Sequence, residues 1–170
     1  MSEPPPERFA PSAPLVQRLG VPISSVLLGS LVTIVPVIAH YPVLPPFGLL
    51  MLLGWRLLRP ELFPIWAAAP FGLFDDLVSG QPLGSAILLW TISFFAIELF
   101  DQRLVWRDFW QDWLIAAGAT AFCLIAGRLI ASPIGAHVDT MLIVQILVSV
   151  MLFPLVARLV AWLDRKRGRA

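Results

Sequence analysis

Residues 113–131, WLIAAGATAFCLIAGRLIA, decide the fold class. From Trp113 to Ala131 the run carries one charge, Arg128 near its end, and Ser132-Pro133-Ile134-Gly135 then breaks it. A hydrocarbon core about 30 Å thick needs roughly 17 to 25 apolar residues per helical crossing, and this stretch meets that requirement. Comparable runs lie on both sides of it. Met141–Leu163 follows; Leu83–Phe100, Leu62–Val78, Leu44–Leu58 and Val21–Ala39 precede. The chain is 58% hydrophobic and 14% charged, far from the balance of a water-soluble globule. The predicted fold is all-α: a polytopic membrane protein of six transmembrane helices over residues 21–163, with no room for a sizeable soluble domain.

The spans differ in quality. The first opens at Pro22, which suits a helix start, and has Pro36 near its far end, followed by a turn at His40-Tyr41-Pro42. The second is marginal in length, entered through Pro45-Pro46 and closed by Arg56, Arg59 and Pro60, so tilt or local bilayer thinning is expected. The third contains Pro64, Pro70, Gly72 and the adjacent acids Asp75 and Asp76, and Ser79-Gly80-Gln81-Pro82 stops it. The fourth ends in Glu98, Asp101 and Arg103; the sixth includes Pro154 and leads into a basic tail, residues 164–170. Met1 to Gly20, with five prolines and mixed charge, reads as a disordered cytoplasmic leader.

Lys and Arg set the orientation, because positively charged loops stay on the cytoplasmic side. With six spans, eleven of the twelve basic residues fall on one side and only Arg128 on the other. Both termini are therefore placed in the cytoplasm. Between spans four and five, Trp106, Phe109, Trp110 and Trp113 recur at helical spacing opposite Arg107, Asp108, Gln111 and Asp112. This pattern fits a short helix lying in the cytoplasmic interface, an aromatic belt at the entry to span five, or an aromatic surface for a partner.

Few residues offer chemistry. A carboxylate at membrane depth costs on the order of 2.5–3.5 kcal/mol, so Asp75 and Asp76 need an account. Neighbouring helix positions point about 100° apart, which lets one acid be buried while the other reaches water. Gly72 and Asp76, four apart, share a face on which a neighbouring backbone could approach the acid. Three readings stay open: acids hydrated at the outer end of a short span, a buried polar anchor for packing or partner docking, or a proton or cation relay. Ser25, Gly29 and Thr33 form a small-residue face on the first span that permits close helix contact.

Other classes find little support. The net charge of +1 lacks the dense basic face of a nucleic-acid binder. The single cysteine, Cys123, can form neither an intrachain disulfide nor a thiolate metal site and reads as packing. His40 and His137 stand alone in outer loops without a ligand set, so no metal is expected. There is no phosphate loop, acid–base pair or nucleophile elbow, so neither cofactor nor enzymatic activity is expected.

The segment Pro70-Phe71-Gly72-Leu73-Phe74-Asp75-Asp76-Leu77-Val78-Ser79-Gly80-Gln81-Pro82-Leu83-Gly84 resembles the signature of the rod shape-determining protein MreD family. The shared features are a glycine, an aspartate four later followed by leucine, and a Gly-x-Pro-Leu-Gly turn; Asp76 takes the aspartate position. The proline-rich leader falls outside the pattern. The resemblance implies an inner-membrane subunit that binds the bitopic protein MreC. It would act with the filament protein MreB and the wall-building pair RodA and penicillin-binding protein 2, and would have no catalytic role. On this resemblance Gly72, Asp76, Gly80, Pro82 and Gly84 are the candidate structural or partner-binding residues, beside the small face of span one. The resemblance also implies the helical architecture of the substrate-binding subunits of energy-coupling-factor vitamin transporters. That supplies a second class, a solute-binding subunit, for which the outer loops offer only His40, Tyr41, Gln81, His137, Asp139 and Thr140.

Overall fold

The computed structural model describes residues 15–32, 44–102, 108–131 and 140–168. They form six α-helices: α1 (Leu15–Leu31), α2 (Phe47–Leu58), α3 (Ala68–Ser79), α4 (Ser85–Asp101), α5 (Phe109–Ala131) and α6 (Thr140–Arg167), with a 3-10 turn at Ile65–Ala67 before α3. No strand occurs among the described residues.

The surface is inverted relative to a water-soluble protein. Large apolar side chains such as Leu77, Phe95, Leu114, Leu129 and Met151 are exposed, while Ser30, Arg56, Asp76, Ser93, Thr120 and Ser149 are buried. Exposed apolar surface on this scale marks contact with something other than water. α5 and α6 are both long and apolar enough to cross a membrane, and only 22% of each candidate span is buried. A core helix of a soluble domain would be mostly buried, and these two are not.

α2 occupies the centre. Every residue from Gly48 to Leu57 is buried, and α2 packs on both α1 and α6. Pro45-Pro46 suits its start, since proline lacks the N–H that the first helical turn leaves unpaired; the Pro46 carbonyl accepts from Leu50 N at 3.0 Å. Just before it, the Leu44 carbonyl lies in chain without regular secondary structure and accepts from Gln145 Nε2 of α6 at 2.7 Å. Irregular backbone at membrane depth is tolerated where protein groups satisfy it in this way. The third and fourth helices pack on each other, α5 packs on α4 and α6, and the Trp113 Nε1 donates to the Val150 carbonyl at 3.0 Å.

Several boundaries differ from the sequence reading. α1 begins at Leu15, six residues inside the expected leader, and Pro22 lies within the helix rather than at its start. The Ser24 and Ser25 hydroxyls donate to the carbonyls of Val21 and Pro22 at 3.1 and 2.8 Å around the proline. The expected third span, Leu62–Val78, is not one helix: Pro64 starts the 3-10 turn, and α3 covers 12 residues, about 18 Å at 1.5 Å per residue. α5 begins at Phe109, so Phe109, Trp110 and Trp113 belong to its first turns and form no separate interfacial helix; residues 103–107 lie outside the described residues. α6 continues to Arg167, which makes the first part of the basic tail helical.

Candidate functional site

The turn between α3 and α4 is held by one carboxylate. α3 ends because Gly80 adopts a left-handed φ of 69°, and Gly84 before α4 has φ of 96°; both conformations are costly for residues with a Cβ. Glycine at the N-cap position offers no side chain to the unpaired N–H groups of the first turn of α4. Asp76 supplies it from the preceding helix. Its Oδ2 accepts from Gly84 N at 2.8 Å, and its Oδ1 accepts from Ala86 N at 2.9 Å and from Ser85 Oγ at 3.0 Å. The side chain is 1% exposed, and a carboxylate at a helix N-terminus is favoured by the helix dipole. Asp75 is half-buried.

Gly72 makes this reach possible. A Cβ there would meet Ile87 N at 2.7 Å and the Ala86 carbonyl atoms at 2.8 Å, so the backbones of α3 and α4 touch one turn before the acid. Gly72→Ala is therefore expected to force the helices apart, at about 2 kcal/mol for overpacking against unyielding backbone. A thermal melt in detergent checks this, and an unchanged melting temperature contradicts the close approach.

Gln81, Pro82 and Leu83 are exposed on the turn, with Leu83 at 72%, and the Pro82 carbonyl accepts from Ser85 N at 3.0 Å. Gly72, Asp76, Gly80, Pro82 and Gly84 thus lie together in one hairpin. Ser25 and Gly29 lie elsewhere, against α2. Ser25 Oγ accepts from Trp55 Nε1 at 2.8 Å, and a Cβ on Gly29 would meet the Phe47 carbonyl oxygen at 3.0 Å. Thr33, the third member of that face, lies outside the described residues.

A second polar cluster sits at the other end of α4. Arg56 of α2, 2% exposed, pairs with Glu98, lies 3.8 Å from Asp101, and donates from Nη1 to the Pro60 carbonyl at 3.0 Å. Its guanidinium stands over the Phe94 ring at 5.8 Å. Beside it, Arg59 Nε donates to Asp164 Oδ2 at 3.0 Å, joining the ends of α2 and α6. In sequence these residues read only as charges fixing orientation. The available signal was Arg56 itself, placed before Leu57-Leu58 and so within the apolar run.

Cys123 is buried against Ser93, with Sγ 3.2 Å from Oγ. The cleft between α4 and α5, about 460 Å³, is lined by apolar side chains such as Ile92, Phe100, Leu114 and Phe122, with Ser93 among them. That lining lacks the convergent polar groups a solute site uses. Of the outer residues expected to supply them, only Gln81 and Thr140 are described, and both are exposed. Among the described residues no group of three or more His, Cys, Asp or Glu is placed to hold a metal ion.

An inverted surface, two largely exposed apolar helices of spanning length and a core pinned by buried polar groups fit the class of all-helical membrane proteins. A family model described as rod shape-determining protein MreD matches residues 16–163. The match covers most of the chain, and the chain belongs to that family, a family of membrane proteins that determine cell shape. Comparison with curated proteins and with solved structures gives no match.

Proposed function

We propose that the chain is a non-enzymatic subunit of the bacterial cell-elongation (Rod) complex. In this reading it resides in the inner membrane, binds MreC directly, and acts with MreB, RodA and penicillin-binding protein 2 in side-wall peptidoglycan synthesis. The observation that carries the reading is the family match over residues 16–163. The hairpin around Asp76 supports it: its buried carboxylate fixes a turn whose outer residues, Gln81 to Leu83, are left exposed for a partner.

The proposed topology is six crossings with both termini in the cytoplasm: a leader ahead of α1, which starts at Leu15, a membrane domain, and a basic tail whose first part continues α6 to Arg167. Two ion pairs support this, since Arg56–Glu98 and Arg59–Asp164 gather the ends of α2, α4 and α6 at one end of the bundle. The Asp76 hairpin then belongs to the outer face. The helical arrangement is proposed to be that of energy-coupling-factor substrate-binding subunits, without their transport role.

Affinity purification of the tagged chain from mild detergent should recover MreC, and depletion should round the cells. Membrane-impermeant reagents should label a cysteine placed at Gln81, but not one at Glu61, from outside intact cells. Normal cell shape after depletion, together with no MreC recovered, would reject the assignment; labelling at Glu61 would reject the orientation alone.

A further inference from the structure

The long final helix carries an arginine on the face it turns toward lipid. Arg158 is exposed, and so are Leu155, Leu159 and Trp162 around it. Among the described residues it makes no hydrogen bond or ion pair, whereas Arg167, nearer the helix end, donates to Asp164 at 2.7 Å. An arginine facing hydrocarbon with no partner is costly and moves toward the headgroups along its apolar stem. Asp164 lies six residues further on, about 9 Å at 1.5 Å per residue. Trp162, with Lys166 over its ring at 5.3 Å, marks the headgroup level between them, where indoles concentrate. Arg158 therefore sits just below that level, within reach of a phosphate.

Beside it runs a trough of about 450 Å³ between α2, α5 and α6. Gly54, Leu57, Phe153, Ala157 and Ala161 line it. A Cβ on Gly54 would come within 3.1 Å of Val160, so α2 and α6 approach closely beside the trough. Two residues at the start of α5, Phe109 and Asp112, also line it. Phe109 is exposed, and Asp112 has an interaction of its own. One exposed cation on the lining of an otherwise mostly apolar trough is the pattern that matches a phosphate headgroup beside an acyl chain.

We infer that Arg158 and the trough along Gly54, Phe153 and Ala157 form a binding site for an anionic phospholipid of the inner leaflet, with the phosphate on the guanidinium and one acyl chain in the trough. The leaflet assignment rests on the topology proposed above; the site itself does not.

The test is native mass spectrometry of the full chain in detergent, with phosphatidylglycerol or phosphatidylcholine of matched acyl chains. The chain should retain phosphatidylglycerol about fivefold better, the equivalent of about 1 kcal/mol for one basic residue at an anionic lipid surface. Arg158→Gln should remove that preference, Arg158→Lys should keep most of it, and Arg165→Gln should leave it intact. Ala157→Phe, which fills the trough, should lower retention of both lipids. Equal retention of the two lipids by the unaltered chain, an unchanged preference in Arg158→Gln, or equal stabilisation by inorganic phosphate alone would overturn the site. Loss of MreC rather than of lipid in Arg158→Gln would also overturn it and assign the cation to a partner helix. Detergent measurements do not depend on orientation, so failure here is separable from failure of the labelling experiment.

Discussion

Asp76→Ala is expected to lower stability by about 3 kcal/mol and to reduce MreC recovery severalfold, while the protein still inserts in the membrane. The magnitude follows from three donors left without an acceptor in a buried setting. Losing a helix cap alone costs about 1 kcal/mol, and each buried polar group left unpaired costs about 1–3 kcal/mol, with partial relaxation. Gly84 N, Ala86 N and Ser85 Oγ would all lose their partner at once. Insertion is spared because the apolar runs themselves are untouched. Asp76→Asn keeps one carbonyl acceptor and should fall between the two. Co-purification at matched protein level, alongside a thermal melt, measures both effects. Full MreC recovery from a destabilised Asp76→Ala would separate the cap from partner binding and remove the hairpin from the proposed interface.

Arg56→Gln should be nearly as damaging, at about 3 kcal/mol, because it takes from Glu98 the buried cation it pairs with. The figure is at the lower end for breaking a buried pair, since the Glu98 side chain is 39% exposed and partly screened. Arg56→Met combined with Glu98→Leu should recover part of the loss, because a pair replaced by apolar groups leaves less charge uncompensated. Arg59→Gln is the control. Its hydrogen bond to Asp164 raises the Arg59 pKa above its ordinary value, yet the side chain is 48% exposed, and an exposed pair is worth no more than about 1 kcal/mol. Similar melting temperatures for the Arg56 and Arg59 variants would show that the buried cluster does not tie α2 to α4.

The apolar runs made the helical class readable, and the Gly72–Asp76 spacing made one feature of the hairpin readable: two residues four apart on one helix face. The identity of the donors was not. Ser85 and Ala86 are ordinary residues, and their unpaired groups become visible only once Gly84 is seen at the helix start with no side chain to offer. The lengths of α2 and α3 were misjudged for a related reason. Hydropathy counts apolar residues without regard to Pro64, which turns the chain into a 3-10 segment, or to Leu44, whose carbonyl is satisfied from α6 101 residues away. The role of Arg56 was obscured because the rule that places basic residues inside a cell treats every arginine alike, while the structure buries this one and leaves Arg59 at the surface.

The central helix has a consequence for how the protein is made. Residues 48–57 of α2 are all buried, and part of that burial, through Gly54 against Val160 and Leu44 against Gln145, comes from α6, which is synthesised after α1 to α5. The early part of the chain must therefore wait in the bilayer with its middle uncovered until α6 has been made. A truncation before Thr140 would leave that middle permanently open, a target for the membrane's quality-control proteases.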